Sequence, residues 1–397
     1  MSLIKYANNF FLLLLVFSVT FENWDPFKLA GSYSVTYIAS AFYFLTWIPL
    51  LGYNFNFKFI NRYLIPLLLF IYVGLVSTAL HSGYAEELKE AYNYRVLLLI
   101  ILMGLIANHI RSNPTLISRV LNAYLGSVLL MFILATIGAG TSYEHGRLLL
   151  FGENPNMIGM KAAIAFLIVL ARLLDVKFSL RNLLISSILS VPFVSLVILS
   201  ASRGALLSLL LGTTILIYFK KSGLIQKIIL VVIGISASFF FISQSLDNNP
   251  VLKQRMLNTI EKGDTGRNDL WKGAIDIIEN NVLIGVGFSG VLPEMYIYSG
   301  RYIDPHNVFF YVLISTGIIG FIFFMLFLVR LFRDLYKSYQ FTGQTVYMVI
   351  LIIILFNMAK AGGGIGKILF WFFFAILIGS TILIKQDSVN SKKVRVG

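Results

Sequence analysis

The chain has 397 residues, 58% of them hydrophobic and only 13% charged, with a mean hydropathy of +0.83. A soluble domain carries roughly 25% charged residues, so these values exclude a string of water-soluble domains and describe a polytopic membrane protein. The formal charge of +14 raises nucleic acid as a partner, but its placement in short loops between apolar runs excludes that reading, and zero cysteines remove disulfides, thiol nucleophiles and thiolate metal sites.

Apolar runs near 8–21, 33–52, 62–80, 95–108, 119–138, 157–171, 182–201, 204–219, 224–243, 307–329, 344–359 and 366–384 predict about twelve helices, each long enough for about 30 Å of hydrocarbon. The expected fold is an all-α polytopic membrane bundle. The first run follows a single basic residue, Lys5, and is followed by Glu22, Asn23, Trp24 and Asp25 instead of a small-residue cleavage site, so it reads as a retained helix. With the N-terminus inside, Lys and Arg dominate every short inside loop, from Lys58 and Arg62 to Arg330 and Arg333. Of the eighteen Asp and Glu residues, only Asp175, Asp334 and Asp387 fall on that side. The positive-inside rule then places both termini in the cytoplasm and the long loop outside. Three regions follow: 1–243 with nine spans, 244–306 as one long external catalytic loop containing short helices, and 307–397 with three spans and a basic tail. In that tail, Lys392, Lys393 and Arg395 are expected against anionic lipid headgroups.

In chain order, the first external loop carries Trp24 and Phe27, which fit an interfacial anchor. The loop at 81–94, with Glu86, Glu87 and Glu90, reads as a short helix with a solvated acidic face. The loop at 139–156 contains Tyr143, Glu144, His145, Gly146 and Arg147, then Asn154-Pro155-Asn156, a turn before a helix with Asn156 as the expected N-cap. One turn further, Lys161 stands in an otherwise apolar helix, where an ammonium must snorkel or face a polar cavity.

Arg203, in Ser200-Ala201-Ser202-Arg203-Gly204-Ala205, marks a turn at the outer face, where a merely topological charge is disfavoured. Its guanidinium suits a phosphate, or else a structural ion pair. Arg267 precedes Asn268, Asp269 and Trp271 at the expected start of a helix, where backbone donors and an Arg make an anion site; the plainer alternative pairs it with Asp264 or Asp269. Arg301 returns toward the membrane with His306, which lies in Asp304-Pro305-His306-Asn307 and serves either as a general base tuned by Asp304 or as an interfacial cap. The sequence holds no P-loop, no zinc-type His pair, no nucleophile elbow and no external Asp-x-Asp, so fixed positive charge is expected in place of a metal.

Taken together, Ser202-Arg203-Gly204-Ala205, Gly266-Arg267 with Trp271, and Pro305-His306-Asn307 followed by Gly317-Ile318-Ile319-Gly320 resemble the bacterial O-antigen ligase and O-antigen polymerase superfamily. The motif around Arg147 and Asn154-Pro155-Asn156 resembles it too. The resemblance covers about 140–325 and implies a GT-C-like, metal-independent membrane glycosyltransferase without a cofactor. Its donor is an undecaprenyl-diphosphate-linked oligosaccharide and its site faces the outer side of the bacterial inner membrane. Carried over, Arg203 and Arg267 bind the diphosphate, His306 deprotonates or orients the acceptor, and Arg147, Asn156, Lys161, Trp271 and Arg301 line the substrate. The acceptor is a carrier-linked repeat unit for a polymerase, slightly favoured, or lipid A core for a ligase, with membrane lipids and a chain-length regulator as further partners. Some relatives glycosylate protein Ser or Thr, and the extra C-terminal domain that some of those carry is not expected here. A transporter or flippase is the alternative class and predicts mid-membrane charges, whereas the ionisable residues here cluster at the outer rim.

Overall fold

The computed structural model describes residues 2–27, 34–81, 94–176, 179–220, 267–360 and 365–382, with isolated positions at 83, 250–251, 253–254 and 257. The helices are α1 (Ser2–Ser18), α2 (Val35–Trp47), α3 (Phe57–Leu80), α4 (Tyr94–Ser112), α5 (Leu116–Ile137), α6 (Pro155–Asp175), α7 (Leu180–Leu199), α8 (Arg203–Phe219), α9 (Asn268–Asn280), α10 (Gly287–Ser299), α11 (Val308–Thr342), α12 (Val346–Met358) and α13 (Ile368–Ser380). Seven are long and apolar enough to cross a membrane, and four shorter apolar helices join them: Val35–Leu50, Arg203–Phe219, Val346–Met358 and Ile368–Ser380. These occupy eleven of the twelve expected positions among the described residues. The span expected at 224–243, the acidic stretch within 84–93, Gly266 and the basic tail lie outside them. The chain is a multi-pass membrane protein by these helices. At its centre stands α13, whose thirteen residues are all buried, as a helix that is apolar on every side requires.

Three findings amend the sequence reading. Residues 141–150 form a two-stranded antiparallel hairpin, β1 (Thr141–Glu144) and β2 (Arg147–Leu150), where an external loop in an all-α chain was expected. Its two-residue turn has φ of 49° at His145 and 70° at Gly146, the paired positive values that a tight hairpin with right-handed strand twist demands. The N-cap of α6 is Asn154, whose side chain accepts from the Asn156 backbone N–H; Pro155 fills the first helical position, where a missing donor costs nothing. Finally, α11 does not stop near 329. It continues to Thr342 because Leu331, Asp334, Leu335 and Ser338 stay buried, and it ends at left-handed Gly343.

The two helices of the long loop differ in character. Helix α9 is amphipathic, with Leu270, Ala274 and Ile277 buried, but α10 is apolar and leaves Tyr296 and Ile297 exposed. Between them, residues 282–286 insert into a break in α11. Gly317 there has φ 58° and ψ −166°, and the backbone groups released by the break are taken up across the gap. Val286 N–H donates to Ile314 O (2.8 Å), Ile318 N–H to Val282 O (2.8 Å) and Ile319 N–H to Leu283 O (3.2 Å). This satisfies the rule that irregular backbone at membrane depth must find partners within the protein. A Cβ on Gly317 would meet the Leu283 backbone at 2.3 Å, which explains the glycine in that motif. From the other side, Ser77 and Thr78 at the end of α3 hold Gly285 O and Phe288 N–H, both at 2.9 Å.

Candidate active site

Every helix start near the candidate residues is built by the sequence motif that carries them. Ser202 caps α8 by accepting from Ala205 N–H, with Arg203 in its first turn. Arg267 occupies the cap position of α9, and Asn307 caps α11 by accepting from Phe309 and Phe310 N–H. Together with Asn154 on α6, these caps bring four helix N-termini to one end of the bundle, each carrying the positive partial charge of unsatisfied N–H groups.

Contacts tie the four starts together. Arg147, at the beginning of β2, donates from Nη2 to Asn156 Oδ1 (2.7 Å) and from Nε to Ser200 O (3.3 Å), and Ser202 Oγ donates to the same Asn156 oxygen (3.1 Å). Thus Arg147 and Asn156 brace the turn that presents Arg203. On the other side, the Trp271 indole N–H donates to Pro305 O (3.1 Å), and its ring meets Phe310 edge-on at 6.0 Å between centroids. Trp271 therefore fixes the loop that carries His306. Asp304 Oδ1 binds both the His306 backbone N–H (2.9 Å) and Nδ1 (2.8 Å). A proton held on Nδ1 by this carboxylate leaves Nε2 as the basic nitrogen.

The two halves meet through charge. Burial, and then the charge of Arg203, lower the pKa of Arg267 below the ordinary arginine value, with Asp304 opposing. Backbone strain collects at the same end of the bundle: the non-glycine residues with positive φ among those described are His145, Phe151, Ala201 and His306. Ala201 precedes the Ser202-Arg203 start, and His306 itself has φ 51°. Such conformations cost about 1–3 kcal/mol each and persist where surrounding contacts impose them.

Two predicted residues stand apart. Arg301 lies at the rim, half exposed, with Nη2 4.0 Å from Asp269 Oδ2. Lys161 is fully buried below the hairpin, where its ammonium pairs with Glu153 and donates to Thr20 O (3.0 Å). Glu153 also accepts from Asn23 Nδ2 (3.0 Å), so the lysine joins the end of α1 to the start of α6 and does not snorkel. Burial raises the pKa of the neighbouring Glu22 carboxyl, against the pull of Lys161.

Sequence reasoning missed Lys360, just beyond α12. Its Nζ lies 2.5 Å from Gly204 O and 3.5 Å from Ser208 Oγ, and 3.8 Å from the centre of the Phe356 ring. Gly204 explains the fit, since a Cβ there would meet Nζ at 2.9 Å. The only sequence signal was a lysine at the outer end of an apolar run. Among the described residues, no three His, Asp or Glu side chains gather as metal ligands would.

A search of curated proteins gives no significant match. Residues 188–325 match the family described as O-Antigen ligase, a segment that contains Arg203, Arg267, Trp271, Arg301, His306 and the Gly317 break, while Arg147, Asn156, Lys161 and Lys360 lie outside it. In this segment and in its motifs, the chain is similar to the O-antigen ligase and polymerase superfamily.

Proposed function

We propose that this chain transfers a glycan from a polyprenyl diphosphate, undecaprenyl diphosphate in bacteria, to a sugar hydroxyl at the outer face of the inner membrane. The observation that carries the reading is the convergence of Arg203 and Arg267, close enough that one perturbs the other, beside the Asp304–His306 pair. Two like charges brought together at four helix N-termini favour an anion of high charge density, as a diphosphate is.

In the proposed reaction the acceptor hydroxyl oxygen attacks the anomeric carbon. The bond from that carbon to the diphosphate oxygen breaks, and the carrier diphosphate leaves with the electron pair. Arg203 and Arg267 stabilise the charge that grows on it. His306 Nε2 takes the hydroxyl proton, and Asp304 stabilises the resulting imidazolium and holds the ring. Arg147 and Asn156 support Arg203 through the Ser200–Ser202 turn, and Trp271 supports His306, so these three position the reacting groups. Two acceptors fit the family: another carrier-linked repeat unit, which makes a polymerase, or lipid A core, which makes a ligase.

Deletion of the gene followed by gel analysis of surface polysaccharide separates them. Single-repeat products indicate a polymerase, and long chains left on the carrier indicate a ligase. Unchanged polysaccharide contradicts both. Because the proposed charge stabilisation comes from arginine, turnover by purified protein is expected to survive excess EDTA; loss of activity that Mg²⁺ or Mn²⁺ restores would contradict the arginine account.

A further inference from the structure

The Arg203 turn is held from a third side, by a residue outside the family segment. Helix α12 ends beside the start of α8. There Asn357 Nδ2 donates to Ser208 Oγ (3.1 Å), Ser208 Oγ donates to Gly204 O (2.8 Å), and Lys360 Nζ donates to the same carbonyl (2.5 Å). Gly204 is the residue after Arg203. Its carbonyl therefore receives a charged donor next to a guanidinium, and the ammonium approaches only because position 204 has no side chain.

We propose that Lys360 is a positioning residue of the diphosphate site: it anchors the first turn of α8 behind Arg203 and adds a third positive charge to the pair Arg203 and Arg267. This inference rests on the diphosphate reading of that site. The charge is costly before the anion arrives. Burial first, and then Arg267, lower the pKa of the ammonium to about 7. A diphosphate between the cations offsets the repulsion and favours the protonated lysine. Below about pH 7 Lys360 is charged before binding, and above it the anion must bring a proton with it. Affinity for the anion thus gains from Lys360 most at low pH.

The test is binding of inorganic pyrophosphate to purified full-length protein at pH 6 and pH 8.5, for wild type, Lys360→Met, Gly204→Ala and Arg203→Ala. Arg203, Arg267, Asp304 and His306 also face the site, and pyrophosphate itself changes charge over this range, so the readout is the ratio of wild type to Lys360→Met at each pH. The expected ratio is on the order of tenfold at pH 6, the size of one charge-assisted contact, and falls toward unity at pH 8.5. Gly204→Ala keeps the lysine but crowds it, and is expected to weaken binding in the same direction. It keeps the inference testable if Lys360→Met does not fold.

A ratio near one at both pH values, with binding lost in Arg203→Ala, overturns the role of Lys360 and leaves the diphosphate site intact. A tenfold ratio that does not change with pH overturns the added-charge part and reduces Lys360 to a structural anchor. Binding unaffected by Arg203→Ala as well would overturn the diphosphate reading and this inference with it.

Discussion

Charge is used differently in the candidate site and at the opposite end of the bundle. At the end away from the candidate site, cations meet carboxylates or capping oxygens: Arg62 lies 2.6 Å from Asp334, which also accepts from Tyr63 OH (2.6 Å), and Lys220 donates to Leu174 O (2.9 Å). Asp175 binds the Thr345 backbone N–H and hydroxyl at the start of α12. These contacts close helix ends and join α3 to α11. In the candidate site, Arg203 bears on Arg267 and Arg267 on Lys360 as like charges, with Asp304 as the acidic neighbour of Arg267 and His306 beside it. Charge neutralised within the protein serves assembly. Under the proposed reading, the cations gathered at the candidate site share a ligand that adds counter-charge to what the protein supplies.

Mutations sharpen this contrast, beginning with the largest expected effect. Asp304→Asn keeps the shape beside His306 but removes the charge that holds the ring and its tautomer, and a transfer assay is expected to show a loss on the order of 10² to 10⁴. Near-normal transfer would remove Asp304 from the account. Glu153→Gln leaves Lys161 charged and fully buried without its carboxylate. A destabilisation of about 3 kcal/mol is expected, read as a lower midpoint of thermal unfolding in detergent and eased by adding Lys161→Met. If Glu153→Gln unfolds like wild type, the buried pair is not structural. Trp271→Phe preserves the ring contact with Phe310 and loses the bond to Pro305 O, with an expected cost of about 1 kcal/mol and weaker transfer at unchanged pyrophosphate binding. Smallest is Asp334→Asn at the far end. Arg62 is nearly half exposed there, so the loss is about 1 kcal/mol or less, and donor affinity is expected to stay the same.

Much of this contrast was legible in the sequence. Apolar runs located the described spans because crossing hydrocarbon imposes length and composition directly. Arg203, Arg267 and His306 stood out because each interrupts an apolar or glycine-rich context at a helix start. Contacts between segments distant in the sequence were not legible. Lys161 reads as a snorkelling or functional charge until Glu153 and Thr20 are seen around it. Lys360 has no local signature, since its meaning lies in a carbonyl 156 residues away. The insertion of 282–286 into the break at Gly317 leaves only a glycine in the sequence, and the hairpin at 141–150 is short enough to pass for a loop.

The central claim is that the arginines hold the donor while His306 acts on the acceptor, and the most direct measurement is donor binding and glycan transfer determined separately in Arg203→Lys and His306→Ala. Arg203→Lys keeps the charge but loses the planar fork, so binding and transfer are expected to fall together, nearly as far as in Arg203→Ala. His306→Ala is expected to bind the carrier diphosphate as wild type does while transfer drops by on the order of 10² to 10⁴. Transfer by His306→Ala at close to the wild-type rate would contradict the account and leave His306 as a strained residue before the Asn307 cap of α11.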